Sequence, residues 1–145
     1  MLNRFKMFTI LNAKINRCIR KLKTEEMAEF NLKSTHVSCL YYLYEENGLT
    51  AKELSDICDE DKGAISRAIE YLESNGYLQC ESKTLKRYKA VIELTSKGEE
   101  VAKKLNEKIN RILEEASVGL SEENRINFYK SLSLISQNLE KLCNK

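Results

Sequence analysis

The sequence predicts a mainly α-helical protein that carries one small β-hairpin. Its 145 residues contain no proline and only five glycines, so few positions interrupt long helices. Apolar residues recur at helical spacing along most of the chain, whereas only residues 77–81 and 88–94 have the pattern of strands. A chain of this length forms about one domain and can bury a sizeable core.

Amphipathic helices are predicted at both ends of the chain. The first covers residues 2–23, a segment with seven basic side chains and no acid. Its apolar stripe consists of Phe5, Phe8, Ile15, Ile19 and Leu22. The last helix begins at Ser121, which is predicted to cap it after a break at Gly119. Its apolar residues, in a 4-3-4-3 pattern that favours packing against a partner helix, are Phe128, Leu132, Ile135, Leu139 and Leu142.

The middle of the chain begins with a helix that Ser34 is predicted to cap and that Asn47-Gly48 ends. The predicted core face of this helix consists of Val37, Leu40, Tyr41 and Tyr44. Residues 24–33 are expected to form an irregular connector before it.

A short helix and a longer helix follow, joined by an acidic turn. Thr50 and Glu53 have the spacing of a capping box that starts a helix over residues 51–58. Its inward-facing residues are predicted to be Ala51, Leu54 and Ile57. Asp61 is placed to cap the longer helix, which extends to about residue 74. The buried stripe of the longer helix is predicted to consist of Ile65, Ala68, Ile69 and Leu72.

The two strand-like stretches flank a polar segment and together predict a hairpin. Residues 81–89 of this hairpin carry four cations, Lys83, Lys86, Arg87 and Lys89, against the single acid Glu81. From Thr95 a helix of about twenty residues follows. Its apolar stripe consists of Val101, Leu105, Ile109, Ile112, Leu113 and Ala116.

A short helix, a tight turn and a longer helix form the arrangement that places one helix in the major groove of DNA. The outward-facing candidates on the longer helix are Lys62, Gly63, Ser66, Arg67 and Glu70. Arg67 can bind a guanine edge through two hydrogen bonds, and Gly63 permits close approach of the backbone. The cationic hairpin then lies beside the duplex as a wing that contacts phosphates or the minor groove. The alternatives are an ordinary surface helix and a charged hairpin that discourages strand pairing.

The charge balance limits this interpretation. The whole chain has a formal net charge of only +2, and residues 50–97 contain eight cations against nine acids. DNA binding by this chain therefore depends on where the charges lie rather than on their total.

Three segments resemble the multiple antibiotic resistance regulator (MarR) family of winged-helix transcription factors. They are Asp61-Lys-Gly-Ala-Ile-Ser-Arg67, Leu72-Glu-Ser-Asn-Gly-Tyr-Leu78 and Leu94-Thr-Ser-Lys-Gly98. The resemblance covers nearly the whole chain and implies a winged helix-turn-helix over residues 34–95. It also implies a helical dimerisation region built from residues 1–33 and 96–145. It further implies an obligate homodimer that represses genes from a pseudo-palindromic operator and is released by a small anionic or aromatic effector.

The wing departs from the family pattern. Where Asp-x-Arg is usual, this chain has Lys86-Arg87-Tyr88, so Tyr88 occupies the position of the arginine. Arg87 is therefore the candidate for the minor groove, with Lys89 as the second choice.

The effector crevice that the resemblance implies lies where the helical ends meet the winged region. Its candidate residues are Arg17, Arg20, His36, Tyr41 and Tyr44. Aromatic residues at helical spacing are, however, more often ordinary core.

Several classes of protein are not supported by the sequence. No segment has the length of apolar sequence that a membrane span needs, and no secretory signal pattern is present, so we expect a cytoplasmic protein. Five widely spaced cysteines and a single histidine support neither a disulfide framework nor a zinc site. We expect no cofactor, no metal and no enzymatic activity. Two alternatives stay open: a winged-helix module that binds another protein, and a redox-sensing regulator that uses Cys18.

Overall fold

The computed structural model describes residues 3–80 and 89–144. The helices are α1 (Arg4–Glu26), α2 (Ser34–Glu45), α3 (Ala51–Cys58), α4 (Lys62–Ser74), α5 (Ser96–Ala116) and α6 (Glu122–Cys143). The strands are β1 (Leu49–Thr50), β2 (Leu78–Cys80) and β3 (Val91–Leu94), and a short 3-10 turn covers Ala28–Phe30. The predicted fold class, mainly α with a small β-sheet that forms the base of a wing, is confirmed.

The chain divides into two compact units, Met1–Ile109 and Asn110–Lys145. The first unit contains the hydrophobic core, to which α2, α3, α4, the sheet and the first half of α5 contribute. Its largest fully buried side chains include Met27, Leu40, Leu43, Leu54, Ile65, Ile69, Leu72, Ile92 and Leu105. The buried stripe predicted for α4 is confirmed in full, since Ile65, Ala68, Ile69 and Leu72 are its buried residues.

The strands form one antiparallel sheet in the order β1-β3-β2. β2 and β3 pair as predicted, with Leu78 opposite Leu94 and Cys80 opposite Ile92. The sequence did not predict β1, in which Leu49 lies opposite Ile92. A two-residue strand has no periodicity of its own, because it exists only through pairing with a partner far along the chain.

The caps that the sequence predicts at three helix starts are present. Thr50 Oγ1 accepts the Glu53 N–H at 3.1 Å, and Glu53 Oε1 accepts the Thr50 N–H at 3.3 Å. Asp61 Oδ1 accepts the Ala64 N–H at 2.8 Å, and Ser121 Oγ accepts an N–H of α6 at 3.1 Å. These hydrogen bonds satisfy backbone donors that a helix start otherwise leaves unpaired.

The predictions for the start of α2 and for one face of α3 were wrong. Ser34 is the first residue of α2 rather than its cap, and His36 Nδ1 accepts the Lys33 N–H at 3.0 Å in that place. Ile57 does not face inward but is 43% exposed. The buried residues of α3 are Ala51 and Leu54 alone.

The core face of α2 also differs from the prediction. Its buried residues are Val37, Cys39, Leu40 and Leu43. Tyr41 and Tyr44 pack against the core only in part, since their hydroxyl-bearing rings are too polar at one end to be enclosed without a partner.

The connector between α1 and α2 is more ordered than expected. α1 continues to Glu26, and Met27 and Leu32 on either side of the 3-10 turn are buried at 1% and 2% exposure. Asn31 adopts a left-handed backbone conformation, which lets the chain reverse between them. This segment anchors the end of α1 to the core.

Gly98 allows the first turn of α5 to approach the backbone before β2. A Cβ atom at this position would lie 2.0 Å from the Tyr77 carbonyl oxygen, which is far inside van der Waals contact. We therefore expect Gly98→Ala to lower the free energy of unfolding by about 2 kcal/mol or more, because the strain cannot be relieved by a side chain alone. Urea denaturation measures this change. Glu100→Ala, exposed on the same helix, should change it little, and equal effects of the two variants would contradict the close approach.

Candidate nucleic-acid interface

The structure brings the five predicted recognition residues onto one exposed face of α4. They are Lys62, Gly63, Ser66, Arg67 and Glu70, and each is exposed. The opposite face of α4 is buried against α2 and α3. A helix held by one face in this way presents the other to a ligand as a rigid surface, as major-groove recognition requires.

Arg67 lies back along α4 toward the start of the helix. A Cβ atom at position 63 would lie only 3.1 Å from a terminal nitrogen of Arg67, so the guanidinium group rests over Gly63. Side chains of a helix lean toward its N-terminus, which explains this direction. The guanidinium therefore lies at the end of α4 that approaches base edges in helix-turn-helix proteins.

Three acids of the near-neutral middle segment form hydrogen bonds within the fold. The carboxylates of Glu53 and Asp61 cap α3 and α4. Glu60 accepts a hydrogen bond from the Thr35 hydroxyl at 3.3 Å. Burial lowers the pKa of the Lys23 ammonium, and the Glu60 carboxylate opposes this effect in part. A count of charges along the sequence cannot distinguish such acids from those that face a ligand.

A small notch of about 20 Å³ lies where the starts of α3 and α4 meet. It is lined by Ala51, Lys52, Lys62, Ile65 and Ser66. Two helix N-termini and two lysines contribute positive potential there, which suits a phosphate oxygen. The sequence analysis did not select Lys52. The sequence does contain a signal for Lys52, because a lysine in the first turn of a capped helix adds its charge to the positive potential of the helix start.

The predicted wing can be placed only in part. β2 and β3 form its base, and Lys89 is exposed before β3. The other four wing residues, Lys83, Lys86, Arg87 and Tyr88, lie outside the described residues. Their roles stay predictions.

The five candidates for an effector crevice are dispersed over two helices. Arg17 and Arg20 are exposed on α1, and Tyr41 and Tyr44 are half-buried on α2. The ring of His36 stacks on Tyr71 of α4, with centroids 4.3 Å apart. Burial and the neighbouring Lys33 lower the pKa of His36, which favours the neutral imidazole in that stack. His36 therefore faces the recognition helix, and the effector crevice stays a prediction.

The middle of the chain matches a known family of DNA-binding domains. Residues 35–113 match the family described as "Winged helix DNA-binding domain". Over 109 residues the chain is 30% identical to an uncharacterised HTH-type transcriptional regulator, YwoH, of Bacillus subtilis (strain 168). That alignment covers 75% of this chain and 79% of its relative.

Solved structures of MarR-family proteins share the fold over nearly the full chain. A MarR family regulator from Neisseria meningitidis superposes with a TM-score of 0.82 at 18% identity, covering 99% of this chain and 100% of that one. A putative MarR family transcriptional regulator from Listeria monocytogenes, solved with a 26mer DNA, superposes with the same TM-score at 22% identity. It covers 96% of this chain and 90% of its own.

This chain belongs to the family of winged helix DNA-binding domains and has the fold of the MarR-family structures. It is a transcriptional regulator with a DNA-binding winged helix, in which α3 and α4 form the helix-turn-helix and β2 and β3 form the base of the wing. Its relatives are regulators rather than enzymes. Within residues 3–80 and 89–144, no helix is both long and apolar enough to cross a bilayer.

Contacts between the notch at the starts of α3 and α4 and the phosphate backbone of DNA can be tested by mutation. Replacing both Lys52 and Lys62 by Ala should flatten the slope of log affinity against log salt concentration by up to about two units, since each lysine at a phosphate contributes about 0.9. Fluorescence anisotropy with a labelled DNA duplex at several salt concentrations measures the slope. The matched control replaces Lys103 and Lys104 of α5, which are exposed and carry the same charge. Equal flattening by both pairs would contradict a specific phosphate contact at the notch.

Proposed function

We propose that this protein is a homodimeric repressor that binds a pseudo-palindromic operator and is released by a small anionic or aromatic effector. The observation that carries the proposal is the exposed face of α4, held rigidly by a fully buried stripe and by the Asp61 cap. The family relationship supports the same conclusion. A regulator of chromosomal genes works in the cytoplasm, which is where we place this one.

The exposed residues of α4 fall into two groups, those that suit the edges of DNA bases and those that suit the phosphate backbone of DNA. Arg67 suits the two acceptors of a guanine, and Glu70 suits the amino group of a cytosine. Lys62 and Lys52 suit phosphates at the helix starts, and Gly63 lets the start of α4 approach the duplex. These roles follow from the exposure and chemistry of each side chain.

The wing supplies the second set of contacts in this proposal. Arg87 enters the minor groove with Lys89 as its neighbour, while Lys83 and Lys86 neutralise phosphates and Tyr88 occupies the usual arginine position. Lys89 is exposed beside the sheet, as this role requires. The departure from Asp-x-Arg predicts that the groove preference of this regulator differs from that of family members with the usual pattern.

Apolar surface on the end helices supports dimerisation. On α1, Phe5 is 78% exposed and Ile15 is 50% exposed, although both lie on an apolar stripe. None of the α6 residues, all of which the structure describes, is buried. Apolar stripes of this length favour association, and a second copy of the chain offers the same stripes. We assign residues 1–33 and 96–145 to the dimerisation region and residues 34–95 to the winged helix-turn-helix. In a dimer of this kind the two α4 helices can enter successive major grooves, which lie about 34 Å apart.

The effector is the least constrained part of the proposal. Arg17 and Arg20 supply positive charge on α1, and Tyr41 and Tyr44 supply half-buried rings on α2. His36 adds a polar ring at the start of α2. Such a set suits an aromatic anion, because cations and aromatic rings bind opposite ends of it.

Specific DNA recognition is tested by replacing Arg67. The wild-type protein first selects preferred duplexes from a random library, and anisotropy then compares one selected duplex with a scrambled one. Arg67→Ala should weaken binding to the selected duplex by about 10- to 100-fold, the value of one bidentate base contact, with a much smaller loss on the scrambled duplex. Lys103→Ala serves as the control for charge. Equal losses on both duplexes would make Arg67 a phosphate contact.

Dimerisation is tested on α6. Ile135→Glu places a charge in the middle of the apolar seam and should convert a dimer to a monomer, as measured by light scattering after size-exclusion chromatography. Gln137→Glu carries the same new charge on an exposed position outside the seam and should leave the mass unchanged. Circular dichroism verifies that both variants keep their helices. A monomeric wild-type protein at micromolar concentration would contradict the dimer.

A further inference from the structure

Two rings stack where the start of α2 meets the second half of α4. The centroid of the His36 imidazole lies 4.3 Å from the centroid of the Tyr71 ring, and the two ring planes differ by only 11°. Tyr71 comes four residues after Arg67 on α4, and residues four apart lie on the same side of a helix. The stack therefore flanks the recognition helix on the side of Arg67.

The Tyr71 hydroxyl joins the same point of α4 to the connector between α1 and α2. It donates a hydrogen bond to the Asn31 carbonyl oxygen at 2.8 Å, and it accepts one from the Asn31 side-chain amide at 3.3 Å. Asn31 has a left-handed backbone conformation where the connector turns. The recognition helix is thus tied both to α2 and to the segment that leads from α1.

A third contact fixes the orientation of the His36 ring. His36 Nδ1 accepts the Lys33 backbone N–H at 3.0 Å, at the start of α2. A ring nitrogen that accepts a hydrogen bond carries no proton, so the proton of the neutral imidazole is on Nε2. Both ring nitrogens are donors in the protonated form. The contact with Lys33 is therefore possible only while His36 is neutral.

The surroundings of His36 favour the neutral ring. Within residues 3–80 and 89–144, the charged or titratable groups that face it are Lys33, which precedes α2, and Tyr71 of α4. The connector presents Asn31, which does not titrate. Burial and then the positive charge of Lys33 lower the pKa of His36. Protonation of His36 therefore removes one hydrogen bond and places two positive charges side by side.

We propose that His36 and Tyr71 form a clamp that positions the recognition helix for DNA, and that the clamp closes only on the neutral imidazole. The clamp consists of the two stacked rings and their hydrogen bonds to Lys33 and Asn31. His36 is a positioning residue in this proposal, because it acts on DNA through Tyr71 and α4 rather than through a contact of its own.

The clamp acts at the boundary between the two faces of α4. The buried stripe packs against the core, and Arg67 and Glu70 are exposed on the other side. Tyr71 is partly buried and lies between these faces, next to Arg67. A contact at this boundary opposes rotation of α4 about its axis, since rotation would move Tyr71 away from both of its partners. A bidentate contact between Arg67 and a base tolerates little rotation, because its two hydrogen bonds fix the direction of the guanidinium group.

Proton NMR tests the clamp without DNA, because the chain contains a single histidine. The imidazole Hε1 signal of the full-length protein should titrate with a midpoint below the ordinary value of about 6.5. Tyr71→Phe keeps the stacked ring and should keep this midpoint. Tyr71→Ala removes the ring and should raise the midpoint toward the ordinary value. A wild-type midpoint at or above the ordinary value, or one that Tyr71→Ala leaves unchanged, would overturn the clamp.

Folding stability should show the same preference for the neutral ring. A histidine whose pKa is lower in the folded protein than in the unfolded chain binds its proton more readily after unfolding, so acid favours the unfolded state. The free energy of unfolding in urea should therefore fall more steeply below about pH 6.5 in the wild type than in His36→Phe, which keeps a ring that cannot titrate. Equal pH dependence of the two proteins would contradict a clamp that needs neutral His36.

The effect on DNA rests on the proposed function and has its own measurement. Fluorescence anisotropy at neutral pH should show that Tyr71→Ala binds the selected duplex about tenfold more weakly, since the stack and two hydrogen bonds are lost. The slope of log affinity against log salt concentration should stay unchanged, because no phosphate contact is removed. Tyr129→Ala, at an exposed tyrosine of α6, is the matched control. Circular dichroism verifies that both variants keep their helices, and equal losses of affinity would contradict a specific role of Tyr71.

The pH profile of DNA affinity separates positioning from direct contact. Between about pH 7 and pH 5.5 the wild type should lose about fivefold in affinity relative to His36→Phe, because protonation opens the clamp. A gain of affinity by the wild type would make His36 a phosphate contact, and parallel profiles would remove it from DNA binding, so either result would overturn the proposal. Failure of the wild type to bind DNA at any pH would contradict the proposed function instead, and the NMR titration would still decide whether the clamp exists.

Discussion

The buried stripe of α4 packs against α2 and α3, and this contact determines what the protein presents to DNA. Ile65, Ile69 and Leu72 are exposed by 1% or less, and each such side chain contributes about 2 kcal/mol when it leaves water. Because these residues lie on one face, α4 has a single favourable rotation about its axis. Arg67, Ser66 and the other recognition residues face outward as a consequence of the packing behind them.

The same packing explains how a nearly neutral segment can bind a polyanion. Acids at helix starts form hydrogen bonds with backbone N–H groups, and Glu60 lies half-buried beside Lys23. Lys52 and Lys62, in contrast, lie at a notch between two helix starts, where the backbone adds positive potential. It is the local arrangement of charge, rather than the net charge of +2, that favours a phosphate oxygen at this notch in the proposed function.

The helix-turn-helix also connects the interior of the fold to its DNA-binding face. Cys58 ends α3, packs against the core and precedes the turn after which Asp61 caps α4. Near this point the Glu60 carboxylate accepts a hydrogen bond from the Thr35 hydroxyl of α2, which joins the turn to the core.

Local interactions account for what the sequence by itself determined. The capping box at Thr50, the Asp61 cap, the stripe of α4 and the outward position of Arg67 depend on residues three or four apart, whose geometry a helix sets without reference to the rest of the chain. Only the tertiary structure decided the features that join distant segments. These include the pairing of β1 with β3, the exposure of Ile57, the stacking of His36 on Tyr71 and the notch at Lys52. No periodicity in one segment encodes such contacts, because each depends on how closely two elements pack once the whole core has formed.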